Sequence, residues 1–364
     1  MHNKKKSKII DRKLDHLKIP IDNDVQHSEN YFNHVKLIHH PFPEFDLYEI
    51  DLSTTFFNKK IAAPICISAI TGGHPVAEKI NKILASSAEK ENIIMSVGSQ
   101  RAGVEDPILV DSFKVVRDVA PTIPIIGNIG IGQISKPDFE PEIFNQCIDM
   151  IKADVMAIHF NSLHELVQDN GDVSYKFFKE NFRKIRNNTK IPIIAKEVGS
   201  GFDAETASLL EKLGFNGFDI GGAGGTSFAD IEYHRNNAIN EIYSRNPAQI
   251  FREWGNPTPI SILYTRSVSS LPIIATGGLK TGIDVAKSIV LGADVGGFAS
   301  KFLFTSWNDL KNEASAETIK EIKTIKHELR ASMWLINSGS INELKGNAKK
   351  RVFIGDLFQW FQQI

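Results

Sequence analysis

The sequence predicts a (β/α)8 barrel over residues 61–305, and three observations carry that expectation. First, "TIPIIGNIG" (122–130), "KIPIIAKEVGSG" (190–201) and "LPIIATGGLKTG" (271–282) each place proline before a short β-branched run, followed by polar and glycine residues. Proline suits the first residue of a strand, and an apolar run without alternation suits a strand buried on both faces. Second, "LGFNGFDIGG" (213–222) and "LGADVGGFAS" (291–300) each end a helical pattern at leucine, cap it with Gly214 or Gly292, and start a new strand. Third, strands are expected at 63–70, 93–98, 124–129, 154–160, 192–197, 217–221, 272–276 and 295–299. Eight strands alternating with helices describe a closed barrel better than a doubly wound sheet.

Between the strands, helices follow from spacing. Val76, Ile80, Ile83 and Leu84 recur at helical intervals, and Asp203 suits the N-cap of a helix over 204–213. Residues 1–60 read as an N-terminal extension and 306–364 as a helical tail. About fifty residues separate the sixth and seventh strands, a length typical of functional or mobile covers. Within them, 238–262 is expected to act as a mobile lid.

The chain of 364 residues is 42% hydrophobic and 23% charged, with net charge −1. Such a chain can bury a large core, and no bulk field recommends nucleic acid or an anionic membrane as a partner. The longest apolar run, "IAAPICISAI" (61–70), is too short to span a bilayer. The basic start "MHNKKKSKIIDRK" has no apolar segment behind it, and the two cysteines form no C-x-x-C pair. A cytoplasmic location is the expectation.

In a barrel, chemistry sits at the C-terminal strand ends. There "TGGLKTG" (276–282) and "FAS" (298–300) suggest a phosphate cradle, in which glycines admit the anion and the next helix start offers N–H groups. "GGAGGTS" (221–227) is a second glycine-rich loop. Lys196 ends a buried strand, where it either pairs with Glu197 or faces a ligand that develops negative charge, such as a flavin ring. "HFNSLHEL" (159–166) packs two histidines, an amide and a carboxylate together, and on its own suits a metal, an anion or its own backbone.

The ordered set "DRKLDH" (11–16), "TGG" (71–73), "GSQR" (98–101), "HFN..HE" (159–165), "KE.G.G" (196–201), "GAGGT" (222–226), "IE..R" (231–235) and "TGGLKTG" (276–282) resembles type 2 isopentenyl-diphosphate isomerase. The resemblance implies an FMN enzyme of isoprenoid biosynthesis that interconverts isopentenyl and dimethylallyl diphosphate. It implies Mg2+, and NADPH or NADH to keep the flavin reduced. FMN contacts are implied at Ala69, Ile70, Thr71, Gly72, Ser99, Asn128, Lys196, Gly222, Thr226, Gly277, Gly278, Lys280, Ala299 and Ser300. Substrate contacts are implied at Arg12, Lys13, Ser99, Gln100, Arg101, His159, Asn161 and His164, with Glu165 on Mg2+. Glu232, near the flavin, is a candidate proton relay or a plain solvated helix residue. The family also implies a homo-oligomer, a tetramer or octamer.

Three positions depart from the family pattern. His164 stands where glutamine is usual; it donates a hydrogen bond as an amide does, but also titrates near neutral pH. With Glu232 and Lys196 it completes the expected catalytic set. Lys280 replaces arginine, and Gly222 replaces a frequent serine. Three rival readings share some of these features. A zinc hydrolase is disfavoured, because His-x4-His-Glu matches neither H-E-x-x-H nor H-x-x-E-H. An FMN oxidoreductase with net redox turnover would need Cys, or His and Arg, on the 221–227 loop. A non-catalytic flavin- and prenyl-diphosphate-binding paralogue rests on His164 alone.

Overall fold

The structure, a computed structural model, describes residues 13–168, 171–235, 245–312 and 314–364. Eight parallel strands close into a barrel: β1 (Ile65–Ile67), β2 (Ile94–Ser96), β3 (Ile125–Gly130), β4 (Val155–Phe160), β5 (Ile193–Glu197), β6 (Gly217–Asp219), β7 (Ile273–Ala275) and β8 (Val295–Phe298). β8 pairs with β1, which closes the ring. All eight expected strands are present, each within the expected span or one residue beyond it. Their isoleucines and valines are buried, as strands covered on one side by helices and on the other by the barrel interior require.

The helices follow their sequence signals. Pro75–Glu91 covers the first expected pattern, and Ala204–Leu213 begins where Asp203 accepts the N–H of Thr206. Gly214 and Gly292 take left-handed conformations, φ 104° and 117°, and end their helices as expected.

One mouth of the barrel is sealed. The hairpin Thr54–Phe56/Lys59–Ile61 sits on the N-terminal strand ends, where Phe56 and Ile61 join Cys66, Ile94, Ile126, Ile194, Ile274 and Val295 in one apolar cluster. Two repeated brackets tie strand starts at that mouth. Asp154 accepts from Ile125 N–H and Arg117, and Asp294 accepts from Ile273 N–H and Arg266. Ligand access is left to the C-terminal mouth.

The expected boundaries need correction. The extension supplies the plug, so it is part of the barrel's core. The eighth barrel helix runs Ser300–Lys311, through the expected boundary at 306. The tail also contains a strand, Arg351–Phe353, paired antiparallel with Val35–Leu37. Alternation of exposed and buried residues over three positions was too short a signal to separate from helix.

The expected lid, 238–262, is described only in part. Residues 236–244 lie outside the described residues. Beyond them, Asn256 N–H donates to Ser200 and Asn256 O accepts from Ala223 N–H, and 258–262 open the buried helix Thr258–Val268. That helix starts inside the expected lid span, and Pro259 lies in its first turn, where its missing N–H costs nothing.

Candidate active site

The C-terminal strand ends enclose one cleft with two lobes, of about 1010 Å³ and 880 Å³. His16, Ala69, Ile70, Lys196, Val198 and Phe228 line both lobes and mark their junction.

Backbone builds the first lobe. Gly222, Thr226, Gly277, Gly278, Lys280, Ala299 and Ser300 line it. Gly277 and Gly278 have φ of 98° and 87°, and a Cβ on Gly277 would lie 2.1 Å from the Gly222 carbonyl. Only glycine fits there. The expected role of the following helix start is corrected. The N–H groups of Lys280 and Thr281 donate to Asp284, and that of Gly282 donates to Glu328. The backbone left for an anion is therefore that of Gly277 to Leu279, with the first turn of Ser300–Lys311 opposite. Gly222 has no space for the serine expected of the family, since its Cβ would lie 2.6 Å from Thr258 Cα.

Lys196 stands at the junction. Its Nζ lies 3.1 Å from Asp219 Oδ2, so its carboxylate partner is Asp219 and not Glu197. The β5–β6 register sets Lys196 beside Asp219. Thr276 Oγ1 donates to Asp219 and accepts from Gly221 N–H, which locks the pair from the next strand. Glu197 instead turns into its own loop, where Oε2 accepts from the N–H groups of Val198, Ser200 and Gly201. Burial pushes its carboxyl up to about 7, against the pull of those donors and of Lys196.

Side chains build the second lobe. Lys13, Ser99, Arg101, Asn128, His159, Asn161, His164 and Glu165 line it. Glu165 Oε1 accepts from Asn161 Nδ2 at 2.9 Å and Oε2 from Asp172 N–H at 2.7 Å, which orients the carboxylate while each oxygen keeps a further lone pair. Asn128 Nδ2 donates to Val97 O, so its Oδ1 accepts from His159 Nδ1, and His159 Nε2 is left as an acceptor. Burial first, then Lys196 and Lys13, lowers the His159 pKa to about 3, so the ring is neutral. Arg101 is steadied by Glu105 at 2.7 Å and Asp172 at 3.7 Å.

Above the junction, Glu232 is 1% exposed, which excludes the solvated reading. Its Oε1 accepts from His16 Nε2 and His164 Nε2, both at 2.9 Å, and its Oε2 accepts from Arg235 at 2.6 Å. Burial pushes this carboxyl up, but the bonds and charge of the two histidines hold it well below the usual carboxylate range. The N-terminal segment is tied across the cleft. Asn30 donates to Gly278 O, Gln26 to Thr226, and His27 N–H to Gly225 O.

Among the described residues, three expected contacts are not on the cleft. Gln100 is wholly buried, donating to Cys147 O and accepting from Asn128 N–H, so it braces β3 from behind. The chain turns inward after Ile70. The Thr71 carbonyl there accepts from Gly98 N–H and Asn81, while Gly72 packs against Phe113. Arg12 lies outside the described residues. Sequence reasoning missed Asp219, Thr276, Gln133, Gln168, His16, Phe228 and Ser68. Asp219 carried a signal, a lone carboxylate ending a buried strand. Ser68 lines the first lobe, and its buried Oγ has no hydrogen-bond partner among the described residues.

A glycine-built lobe joined at a buried lysine to a lobe carrying Lys13 and Arg101 is the kind of cleft a cofactor-binding barrel presents. Residues 159–351 match the FMN-dependent dehydrogenase family, which is the class of this fold. A flavocytochrome b2 variant with sulfite bound superposes with a TM-score of 0.63 at 16% identity, covering 92% of this chain and 82% of that one. A mandelate oxidase variant with an FMN monooxide adduct gives 0.59 at 12% identity, covering 87% and 88%. These likenesses establish the fold. The isopentenyl-diphosphate delta-isomerase of Methanococcus maripaludis is 42% identical over 360 residues, 97% of this chain and 98% of that one. That of Archaeoglobus fulgidus is 39% identical over 350 residues, 96% and 97%. The chain belongs to the isopentenyl-diphosphate delta-isomerase family.

Proposed function

We propose that this protein interconverts isopentenyl and dimethylallyl diphosphate, with FMN in the first lobe and the diphosphate in the second. The observation that carries the reading is near-full-length similarity to isopentenyl-diphosphate delta-isomerases in a chain whose cationic lobe adjoins its glycine cradle. The residues suit FMN: glycines too crowded for a Cβ, an orphaned Ser68 Oγ, and a buried lysine at the junction. Reduced FMN, when bound, would supply an acid–base group next to the allylic carbons.

The chain's own residues then have separable tasks. Lys13 and Arg101 neutralise the diphosphate, and Glu165 presents a hard carboxylate to Mg2+, whose other ligands would be phosphate and water oxygens. A neutral His159 meets a phosphate oxygen only when that oxygen, or the ring, carries a proton. Lys196, held by Asp219, fixes a positive charge at the junction. Ile70, Val198 and Phe228 keep water from the reacting carbons. His164 forms the polar edge over them, backed by the buried Glu232, with His164 Nε2–H in the donor role of the family's amide. That substitution of one donor for another favours activity over a non-catalytic paralogue. The 221–227 loop has no cysteine, histidine or arginine, so net redox turnover on a bound substrate lacks its usual groups.

NADPH or NADH as flavin reductant, a cytoplasmic location and a homo-oligomer complete the proposal. No helix among the described residues is long and apolar enough to cross a membrane. The reading is tested by loading the protein with FMN, reducing it anaerobically with NADPH, and following isopentenyl diphosphate by NMR with and without Mg2+. Interconversion that stops with chelator supports it. A reduced, folded holoprotein that leaves the substrate unchanged would refute it.

A further inference from the structure

We propose that His16, His164 and Glu232 form a second cation site, one that takes a first-row transition metal such as Zn2+ or Co2+ and is separate from the carboxylate of Glu165. Three segments distant in sequence converge here: the helical stretch 13–22, helix Ser162–Val167 and helix Phe228–Arg235. One donor atom from each residue lies within 4.8 Å of the other two. Both Nε2 atoms are 2.9 Å from the same oxygen, Glu232 Oε1. A tetrahedral ion with bonds of about 2.0–2.1 Å separates its ligands by roughly 3.3 Å, so the three atoms need only modest adjustments to hold one.

Donor chemistry sets the class of ion. Two imidazoles and one carboxylate suit zinc, cobalt, nickel or ferrous iron, whereas Glu165 among amides and backbone suits a hard oxygen-seeking cation. Coordination requires each Nε2 to give up its proton, either to Nδ1 of a neutral ring or to solvent from a charged one.

The surroundings are those of a supported ligand set. Arg235 holds Glu232 Oε2 and leaves Oε1 to the histidines, and Asp15 lies 3.6 Å from Arg235 Nε to offset its charge. Phe228 walls one side, its ring 5.0 Å from that of His164 and 6.2 Å from that of His16. Both histidines also line the second lobe, where a water or a phosphate oxygen can complete the coordination. The site depends on His164, because the glutamine of the family pattern offers no nitrogen lone pair. It is therefore a property of this chain and does not rest on the isomerase activity.

The test uses tag-free, FMN-loaded protein freed of metal by chelation and titrated with Co2+, following the visible ligand-field bands of cobalt. One equivalent should bind with the bands of a low-symmetry nitrogen–oxygen site. His164→Gln and His16→Gln should each weaken binding by roughly tenfold or more and change the bands. Glu165→Gln, and a large excess of Mg2+, should leave the bands in place. Gln at 164 keeps a donor to Glu232, and flavin content with circular dichroism verifies that each variant is folded. Wild-type protein without such bands at millimolar Co2+, bands that persist unchanged in His164→Gln, or bands removed by Mg2+ would each overturn the site.

Discussion

The two lobes of the cleft are built by different means. The first is made of backbone: Gly277 closes on the Gly222 carbonyl and Gly278 on the Gly224 carbonyl because neither carries a Cβ. The second is made of side chains delivered by the N-terminal segment, the β2 and β4 loops and helix Phe228–Arg235. A backbone site is written locally, as short glycine runs at strand ends. A side-chain site is written in the topology, since its partners lie up to 216 positions apart, as His16 and Glu232 do.

The largest effect on stability is expected where the lobes meet. Lys196→Met leaves Asp219 buried and uncompensated, a loss of about 3–5 kcal/mol in stability, and should cut turnover by roughly 10²–10³-fold. Denaturant melts and the isomerase assay measure the two. A neutral outcome on both would mean that the lobes do not depend on this lysine.

Next is the pH dependence of the first lobe's wall. The Glu197 carboxyl moves from 4.5 to about 7 on folding. Between those values the folded protein holds a proton that the unfolded chain lacks. The associated stability is fully present below pH 4.5 and lost as pH rises through 7. Its size is on the order of 3 kcal/mol, at about 1.4 kcal/mol per unit. Glu197→Gln keeps an acceptor for the loop N–H groups and should remove this component from melting curves taken between about pH 5 and 8. An unchanged slope would assign it elsewhere.

Gly277→Ala tests the backbone character of the cradle. It forces a Cβ onto the Gly222 carbonyl at positive φ, costing roughly 1–3 kcal/mol, and should yield protein that purifies without flavin. Retained stoichiometric FMN would show that the cradle yields. The smallest effect belongs to the tie over the cleft. Glu253, half-exposed, accepts from Ser28 and faces His27, so Glu253→Gln should cost under about 1 kcal/mol while raising the KM for substrate. A loss of kcat instead would place this tie in the chemical step.

The same contrast explains what was legible in the sequence. Eight strands, the Asp203 cap and the cradle glycines could be read because each is a local pattern. Lys196 was legible as a buried lysine, but its partner Asp219 required the β5–β6 register. Gln100 and Thr71 sat in the right motifs yet face the core, since a motif does not say which way a strand end turns. His16 went unassigned because only the fold brings it to Glu232. Residues 258–262 fell inside the expected lid span, and their helix start is visible only in the fold.

The most direct measurement compares wild type, Glu232→Gln and His164→Gln, each loaded with reduced FMN and Mg2+, in anaerobic conversion of isopentenyl diphosphate. Wild type should interconvert the two isomers. Glu232→Gln should fall by roughly 10²–10⁴-fold, the range of a positioned acid or base, while His164→Gln, which keeps the donor to Glu232, should remain active. Folded, flavin-loaded wild type without turnover, or a Glu232→Gln variant as fast as wild type, would contradict the assignment of the chemistry to this edge of the cleft.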